Sequence, residues 1–83
     1  MKKGDVVFIR TVTNYCVGRI IQIDEQFVIL ENASWIADTG RWHQALKDGV
    51  LNEVEPFVDP VEVAIGAIVD VTKWRHALPT QQK

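Results

Sequence analysis

Hydrophobic and polar residues alternate along the first part of the chain in the period-two pattern that is typical of β-strands. This pattern predicts strands at residues 6–13, 15–23 and 27–32. Residues 24–26 are Asp, Glu and Gln, which are too polar for a core and indicate a tight turn between the second and third strands. Gly18 lies within the second strand, and because it lacks a β-carbon it allows that strand to bend sharply.

After the third strand the alternation stops and residues typical of helix ends appear. Asp38 or Thr39 is suited to cap the start of a helix, because the short side-chain oxygen of either residue can accept a backbone N–H bond. Gly49 is suited to the left-handed residue at the other end. We therefore predict a short helical insertion at about residues 39–48.

The second half of the chain completes the expected fold. Residues 51–60 contain two prolines and several acidic residues, which predict an acidic loop. Residues 61–72 alternate again and predict a long strand that bends at Gly66. This order indicates a mainly β fold, a small and strongly bent antiparallel barrel of the Sm-like or SH3-like type with one short inserted helix. We predict one domain at residues 1–78 and a polar tail at residues 79–83.

Composition adds expectations about partners. The chain has 83 residues, of which 47% are hydrophobic, and it contains three Trp and three Phe. A domain of this size buries a modest fraction of its surface, so it gains stability by oligomerising. The aromatic content exceeds what a small core needs, which predicts contact with a ligand or a second copy. The formal net charge of −2 provides no overall basic field to attract nucleic acid.

The cysteine content and the absence of long apolar segments indicate the compartment. Cys16 is the single cysteine, which excludes an internal disulfide and a cysteine-based zinc site. No secretory signal is recognisable, and no segment approaches the roughly 20 apolar residues that span a bilayer. We therefore expect a cytoplasmic protein with no membrane contact. The sequence lacks the familiar catalytic, metal-binding and phosphate-loop motifs, so we predict no enzymatic activity and no cofactor.

Part of the chain resembles the Sm-like proteins. The first hairpin shares with the first Sm motif a glycine, an acidic turn residue, a leucine and an Asn-Ala pair, here Gly18, Asp24, Leu30, Asn32 and Ala33. Gly66 stands where the second motif has its glycine, although Ile65 replaces the usual preceding basic residue. The resemblance implies ring-like assembly and, as a weaker alternative, RNA binding.

A second resemblance covers most of the chain. The segments that carry it are FIRTVT (8–13), ENASWIADTGRW (31–42), LNEVEP (51–56) and WRHALP (74–79). They resemble a family of small accessory proteins of tailed phages and prophages. This resemblance implies a compact protein of the host-cell cytoplasm in a setting where counter-defence proteins are common. Several unrelated small phage proteins in that setting sequester host nucleotide signals, which is an analogy of context and not of residues.

The segment WIADTGRW contains the first group of candidate ligand-binding residues, namely Trp35, Asp38, Thr39, Arg41 and Trp42. Free N–H groups at a helix start attract an anion such as phosphate. Arg41 can pair with the same anion while Trp35 or Trp42 stacks on a base. In the alternative interpretation both indoles close one end of the barrel, and Asp38 only caps the helix and pairs with Arg41.

The second candidate group is Trp74, Arg75 and His76. Stacking, phosphate pairing and a hydrogen-bond donor that responds to pH are the contacts that nucleotide recognition uses. In the alternative interpretation, Trp74 covers a sheet edge while its two neighbours remain in solvent. For Arg10, which alternates with apolar neighbours, we expect a structural ion pair with Glu31 or Asp70.

Three functional hypotheses remain. The first is a homo-oligomeric, non-enzymatic protein that binds and sequesters a small anionic nucleotide-type ligand, such as a host immune signal, at its subunit junctions. The second is an Sm-like RNA-binding ring, against which the net acidity weighs. The third is a protein–protein inhibitor that blocks a host enzyme through the acidic residues 52–59.

Overall fold

A computed structural model describes residues 1–83. It contains six strands, one α-helix and one 3₁₀ turn: β1 (Val6–Thr11), β2 (Tyr15–Ile23), β3 (Phe27–Asp38), α1 (Trp42–Asp48), β4 (Glu53–Pro56), β5 (Val61–Ala64), the 3₁₀ turn (Ile65–Ala67) and β6 (Ile68–Lys73).

All strand pairs are antiparallel, in the order β4-β3-β2-β1-β6, and β5 pairs with the first half of β3. The mainly β fold with one short helix is therefore confirmed. The sheet does not close into a barrel through hydrogen bonds. Instead, β5 continues through the 3₁₀ turn into β6, which lies on the far side of β1.

Both faces of the sheet are covered, because alternate residues of the central strands pack into two separate cores. The first core contains eight buried residues, namely Val7, Ile9, Cys16, Ile20, Val28, Leu30, Ala33 and Val63. The second lies on the opposite face, where α1 and the segment after β6 cover Phe8, Val17 and Ile36. We refer to these as the strand-side face and the helix-side face.

Gly18 lies where β2 approaches β3 closely, and the sharp bend that the sequence predicts at this glycine stays a prediction. A β-carbon at this position would lie 3.0 Å from the β-carbons of both Leu30 and Ala33, so only glycine lets β2 and β3 approach this closely. The register of the β2–β3 ladder shifts beside it, between Val17 and Arg19. At Gly66 the predicted continuous strand is wrong, since residues 65–67 form a 3₁₀ turn that divides it into β5 and β6.

Two predicted strand ends are also wrong. Strand β1 ends at Thr11 instead of residue 13, because Thr11 Oγ1 accepts bonds from the N–H groups of Thr13 and Asn14 and forms a turn. Strand β3 does not end at Asn32. That residue has a φ of 49° and forms an irregularity, after which the strand continues to Asp38.

The predicted acidic loop is wrong over residues 53–56, which form β4 against the extended part of β3. Pro56 is compatible with this strand because it stands at its last position. The polar tail is also part of the fold. Lys83 and Val54 exchange two backbone hydrogen bonds of 2.9 and 3.0 Å, and Gln82 donates to the carboxylate of Glu55.

Candidate functional site

The structure places the first two candidate tryptophans on opposite faces of the sheet. Trp35 lies opposite Cys16 in the β2–β3 ladder, and Cys16 belongs to the core of the strand-side face. Trp42 packs on the helix-side face, where its ring meets Phe8 edge-on at a centroid distance of 5.3 Å. The structure therefore does not bring Trp35 and Trp42 together around one site, and a ligand-binding role for either stays a prediction.

Trp42 is occupied by contacts within the protein. Its ring packs against Tyr15, and the guanidinium of Arg10 lies over it. Arg10 also hydrogen-bonds the carboxylate of Asp70 through two nitrogens, which confirms one of its two predicted partners. These contacts make Trp42 and Arg10 parts of the fold in this chain.

Trp74 is buried, with only 4% of its surface exposed, and it packs against Phe8 in the core of the helix-side face. Its indole Nε1–H donates to the carbonyl oxygen of Ala77 at 3.2 Å. His76 meets the Trp74 ring edge-on, and its Nε2 lies 2.8 Å from the carbonyl oxygen of Leu46. Because a carbonyl only accepts, Nε2 carries the proton and joins the segment after β6 to the end of α1. Arg75 is exposed.

The segment between β3 and α1 does not form the predicted helix start. Helix α1 begins at Trp42, its N-cap is Arg41, and no side chain caps it, so the predicted cap at Asp38 or Thr39 is wrong. Asp38 Oδ1 instead accepts the N–H of Gly40 at 2.8 Å. Its backbone oxygen accepts the N–H of Asn52. Thr39 is buried, and both residues shape this connection. The predicted C-terminal role of Gly49 is confirmed by its φ of 74°.

Trp35 is the exposed indole of the protein, with 43% of its surface accessible. It borders a cavity of about 190 Å³ on one side, whose walls are mainly apolar and include Cys16, Phe57 and Ala67. Trp35 also borders a second cavity of about 290 Å³, which the turn between β1 and β2 lines with Thr11, Thr13 and Asn14. Phe57 and the turn at residues 12–14 were not among the predicted binding residues, because no local sequence pattern indicates that they lie beside Trp35.

Charges are distributed unevenly around these residues. A third cavity borders Trp35 on the side of β4 and is lined by Glu55. Glu62 lines the cavity of about 190 Å³, and no Lys or Arg lines any of the three. The ion pairs of the protein are Arg10–Asp70 and Arg19–Glu31, so Arg41 and Arg75 have no acidic partner. The predicted pairing of Asp38 with Arg41 is therefore absent.

Cys16 lies in the wall of the smaller cavity and is almost fully buried. Burial raises the pKa of its thiol to about 11, because the thiolate loses hydration in an apolar environment. The thiol therefore remains protonated near neutral pH and acts as an apolar wall, as its sequence context suggests.

The surface around Trp35 offers a planar aromatic face, uncharged polar groups and a cavity with mainly apolar walls. These groups suit non-covalent binding.

No helix is long and apolar enough to cross a bilayer. No protein-family model, curated protein or solved structure shows a significant match to this chain.

Proposed function

We propose that the protein is a non-enzymatic binding protein that holds and sequesters a small anionic nucleotide-type ligand, such as a host immune signal. The observation that carries the proposal is the exposed indole of Trp35, which lines two cavities. Tryptophan is enriched at interfaces, because its ring offers a large apolar face and its N–H a polar contact. The phage setting rests on the sequence resemblance alone.

The surroundings of Trp35 suit a nucleobase. Stacking on an aromatic ring contributes about 1–3 kcal/mol per base and tolerates any base. Thr11 Oγ1 donates to Asn14 Oδ1 at 2.8 Å, which fixes this turn beside the indole and leaves the amide N–H groups of Asn14 available to a ligand. The hydroxyl of Thr13 lines the same cavity. These groups are donors and acceptors of the kind that read the edge of a base.

Cations for a phosphate are present elsewhere on the surface. Arg41 and Arg75 are exposed and make no ion pair, so either guanidinium can bind phosphate without breaking an existing contact. Both residues belong to elements of the helix-side face, since Arg41 caps α1 and Arg75 follows Trp74. Their ligand-binding role stays a prediction.

Thermal unfolding in the presence of cyclic and linear nucleotides tests the proposal. A sequestered nucleotide raises the Tm of the wild type, because binding to the folded state alone stabilises it. Trp35→Ala loses this shift. Val69→Ala, which shortens an exposed side chain of β6, is the matched control and keeps it. Recovery of the intact nucleotide after heat denaturation supports sequestration, whereas a cleaved product or the absence of any shift at saturation contradicts the proposal.

One observation favours a second candidate, a protein–protein inhibitor. The loop after β4 exposes 98% of Val58 and 41% of Phe57 beside the acidic residues Asp59 and Glu62. Exposed apolar residues next to carboxylates suit a basic protein surface. The double variant Val58→Asp, Asp59→Lys abolishes binding to such a partner. A partner that binds the wild type and the double variant equally well contradicts this candidate.

A further inference from the structure

A single copy of the chain does not bring the stacking and phosphate-binding groups of the proposed site together. Trp35 lies on the strand-side face, whereas Arg41 and Arg75 extend from elements that cover the helix-side face. No Lys or Arg lines the three cavities at Trp35, whereas Glu62 lines one of them and Glu55 lines another. Carboxylates repel a phosphate in this position, so the site is electrostatically incomplete within one chain.

The two faces carry complementary surfaces. Around Trp35 the chain exposes Phe57 and Val58 together with carboxylates, and we call this the Trp35 surface, which consists of Trp35, Glu55, Phe57, Val58, Asp59 and Glu62. The elements of the helix-side face expose Arg41, Lys47 and Arg75, and we call these three residues the basic surface. None of the three has an ion-pair partner. Because the two surfaces carry opposite charges, the Trp35 surface of one copy is attracted to the basic surface of the next.

We infer that copies of this chain associate head to tail, with the Trp35 surface of one copy on the basic surface of the next, and that the nucleotide binds in the junction. This inference rests on the proposed function. The base stacks on Trp35 of one copy, and Arg41 and Arg75 of the next copy bind the phosphate. Lys47 of that copy faces the carboxylates that surround the indole.

This arrangement has a consequence for assembly. A head-to-tail contact leaves one unused surface at each end, so the assembly closes into a ring or extends as a filament. The anionic ligand adds negative charge at a junction that already contains carboxylates, and the two arginines offset it. The ligand therefore requires the junction, and a ligand that bridges two copies stabilises it in return.

Mixing two binding-deficient variants tests whether the site is shared. Trp35→Leu keeps an apolar side chain but cannot stack, and the double variant Arg41→Ala, Arg75→Ala lacks the phosphate contacts. Each variant alone loses binding of a fluorescent nucleotide that the wild type binds. Mixing them after partial dissociation restores wild-type junctions, in which Trp35 of one variant meets the arginines of the other. With random assembly, about a quarter of the junctions regain binding.

The controls separate failure of this inference from failure of the proposed function. Native mass spectrometry of each sample confirms that the variants assemble and exchange copies. As a second control, the chain with all three substitutions must not restore binding when it is mixed with either of the two binding-deficient variants. A wild type that binds no nucleotide contradicts the proposed function itself. A wild type that binds as a monomer, or an exchanged mixture in which no binding returns, overturns the shared site and leaves the proposed function standing.

Discussion

The guanidinium carbon of Arg10 lies 5.1 Å from the centre of the Trp42 ring, so the cation covers one face of the indole. The same guanidinium is held by the carboxylate of Asp70 on the neighbouring strand β6. An arginine over an aromatic ring is a favourable electrostatic contact. The arrangement joins α1 to the sheet, and it explains why Trp42, although only partly buried, has no free face for a ligand.

The Arg10–Asp70 pair gives the protein a pH-dependent stability. The hydrogen bond from Arg10 lowers the pKa of Asp70 below its ordinary value, and the carboxylate in turn raises the pKa of Arg10. A carboxyl group with a lower pKa in the folded state stabilises the fold above its unfolded pKa of about 3.9, and this contribution is lost as the pH falls through the folded pKa. The Tm of the wild type therefore exceeds that of Asp70→Asn at pH 7, and the difference disappears in acid.

A double-mutant cycle isolates this contribution. Arg10→Met retains an apolar stem over Trp42 but removes the charge, so Asp70→Asn has little further effect in that background. Because both side chains are more than one-third exposed, the effect at pH 7 is modest. A constant difference between wild type and Asp70→Asn from pH 7 to pH 2 would contradict this interpretation.

Glycine substitutions test which of Gly18 and Gly66 the fold requires. At Gly18 an added β-carbon meets Leu30, Ala33 and the backbone of a paired strand, so Gly18→Ala lowers the free energy of unfolding by about 1–3 kcal/mol. At Gly66 no atom lies within 4 Å of the added carbon, and φ is not positive. Gly66→Ala is therefore the control, and it changes stability by less than about 1 kcal/mol in either direction. Chemical denaturation of both variants measures the contrast.

The sequence predicted the parts of the fold that depend on local chemistry. The bounds of β2 and the left-handed Gly49 follow from alternation and residue type. The positions of the tryptophans do not. Asn32 interrupts the alternation of β3, and a change of one residue in register moves every later side chain to the other face. The face that Trp35 occupies is therefore determined by strand pairing, which no local pattern reveals.

The same limit explains the missed strand β4. Residues 53–56 are acidic and end in proline, so their composition is typical of a loop. They pair because β3 extends beyond Asn32 and offers Trp35 and Ile36 as partners to Glu55 and Val54. Val54 is then buried in the core of the helix-side face. Long-range pairing overrides weak strand propensity here.

The tryptophans differ in their contributions to stability. Trp74 is buried and donates a hydrogen bond to Ala77, so Trp74→Phe loses core volume and leaves the carbonyl of Ala77 without its donor. We expect a decrease of about 1–3 kcal/mol in the free energy of unfolding. Trp35→Phe, at an exposed position, changes it by less than about 1 kcal/mol. Equal losses in urea unfolding would contradict the placement of the two indoles.

Alkylation of Cys16 reports on the cavity beneath Trp35. The thiol has a pKa of about 11 and lies in the wall of that cavity, so at pH 8 the native protein reacts with iodoacetamide much more slowly than the unfolded chain does. Since burial raises the pKa of the thiol, the folded state is favoured fully below the unfolded pKa of about 8.5, and this contribution is lost as the pH rises toward 11.

The alkylation rate also responds to the indole and to ligand. Trp35→Ala opens the cavity and increases the rate for the native protein, whereas Val69→Ala, at an exposed position that does not line this cavity, leaves it unchanged. A nucleotide stacked on Trp35 covers the entrance and decreases the wild-type rate. Mass spectrometry of timed samples measures the alkylation rates of the two variants and of the wild type with and without nucleotide. The unfolded chain in urea gives the reference rate. A native rate equal to that reference at pH 8 would show that Cys16 is not enclosed.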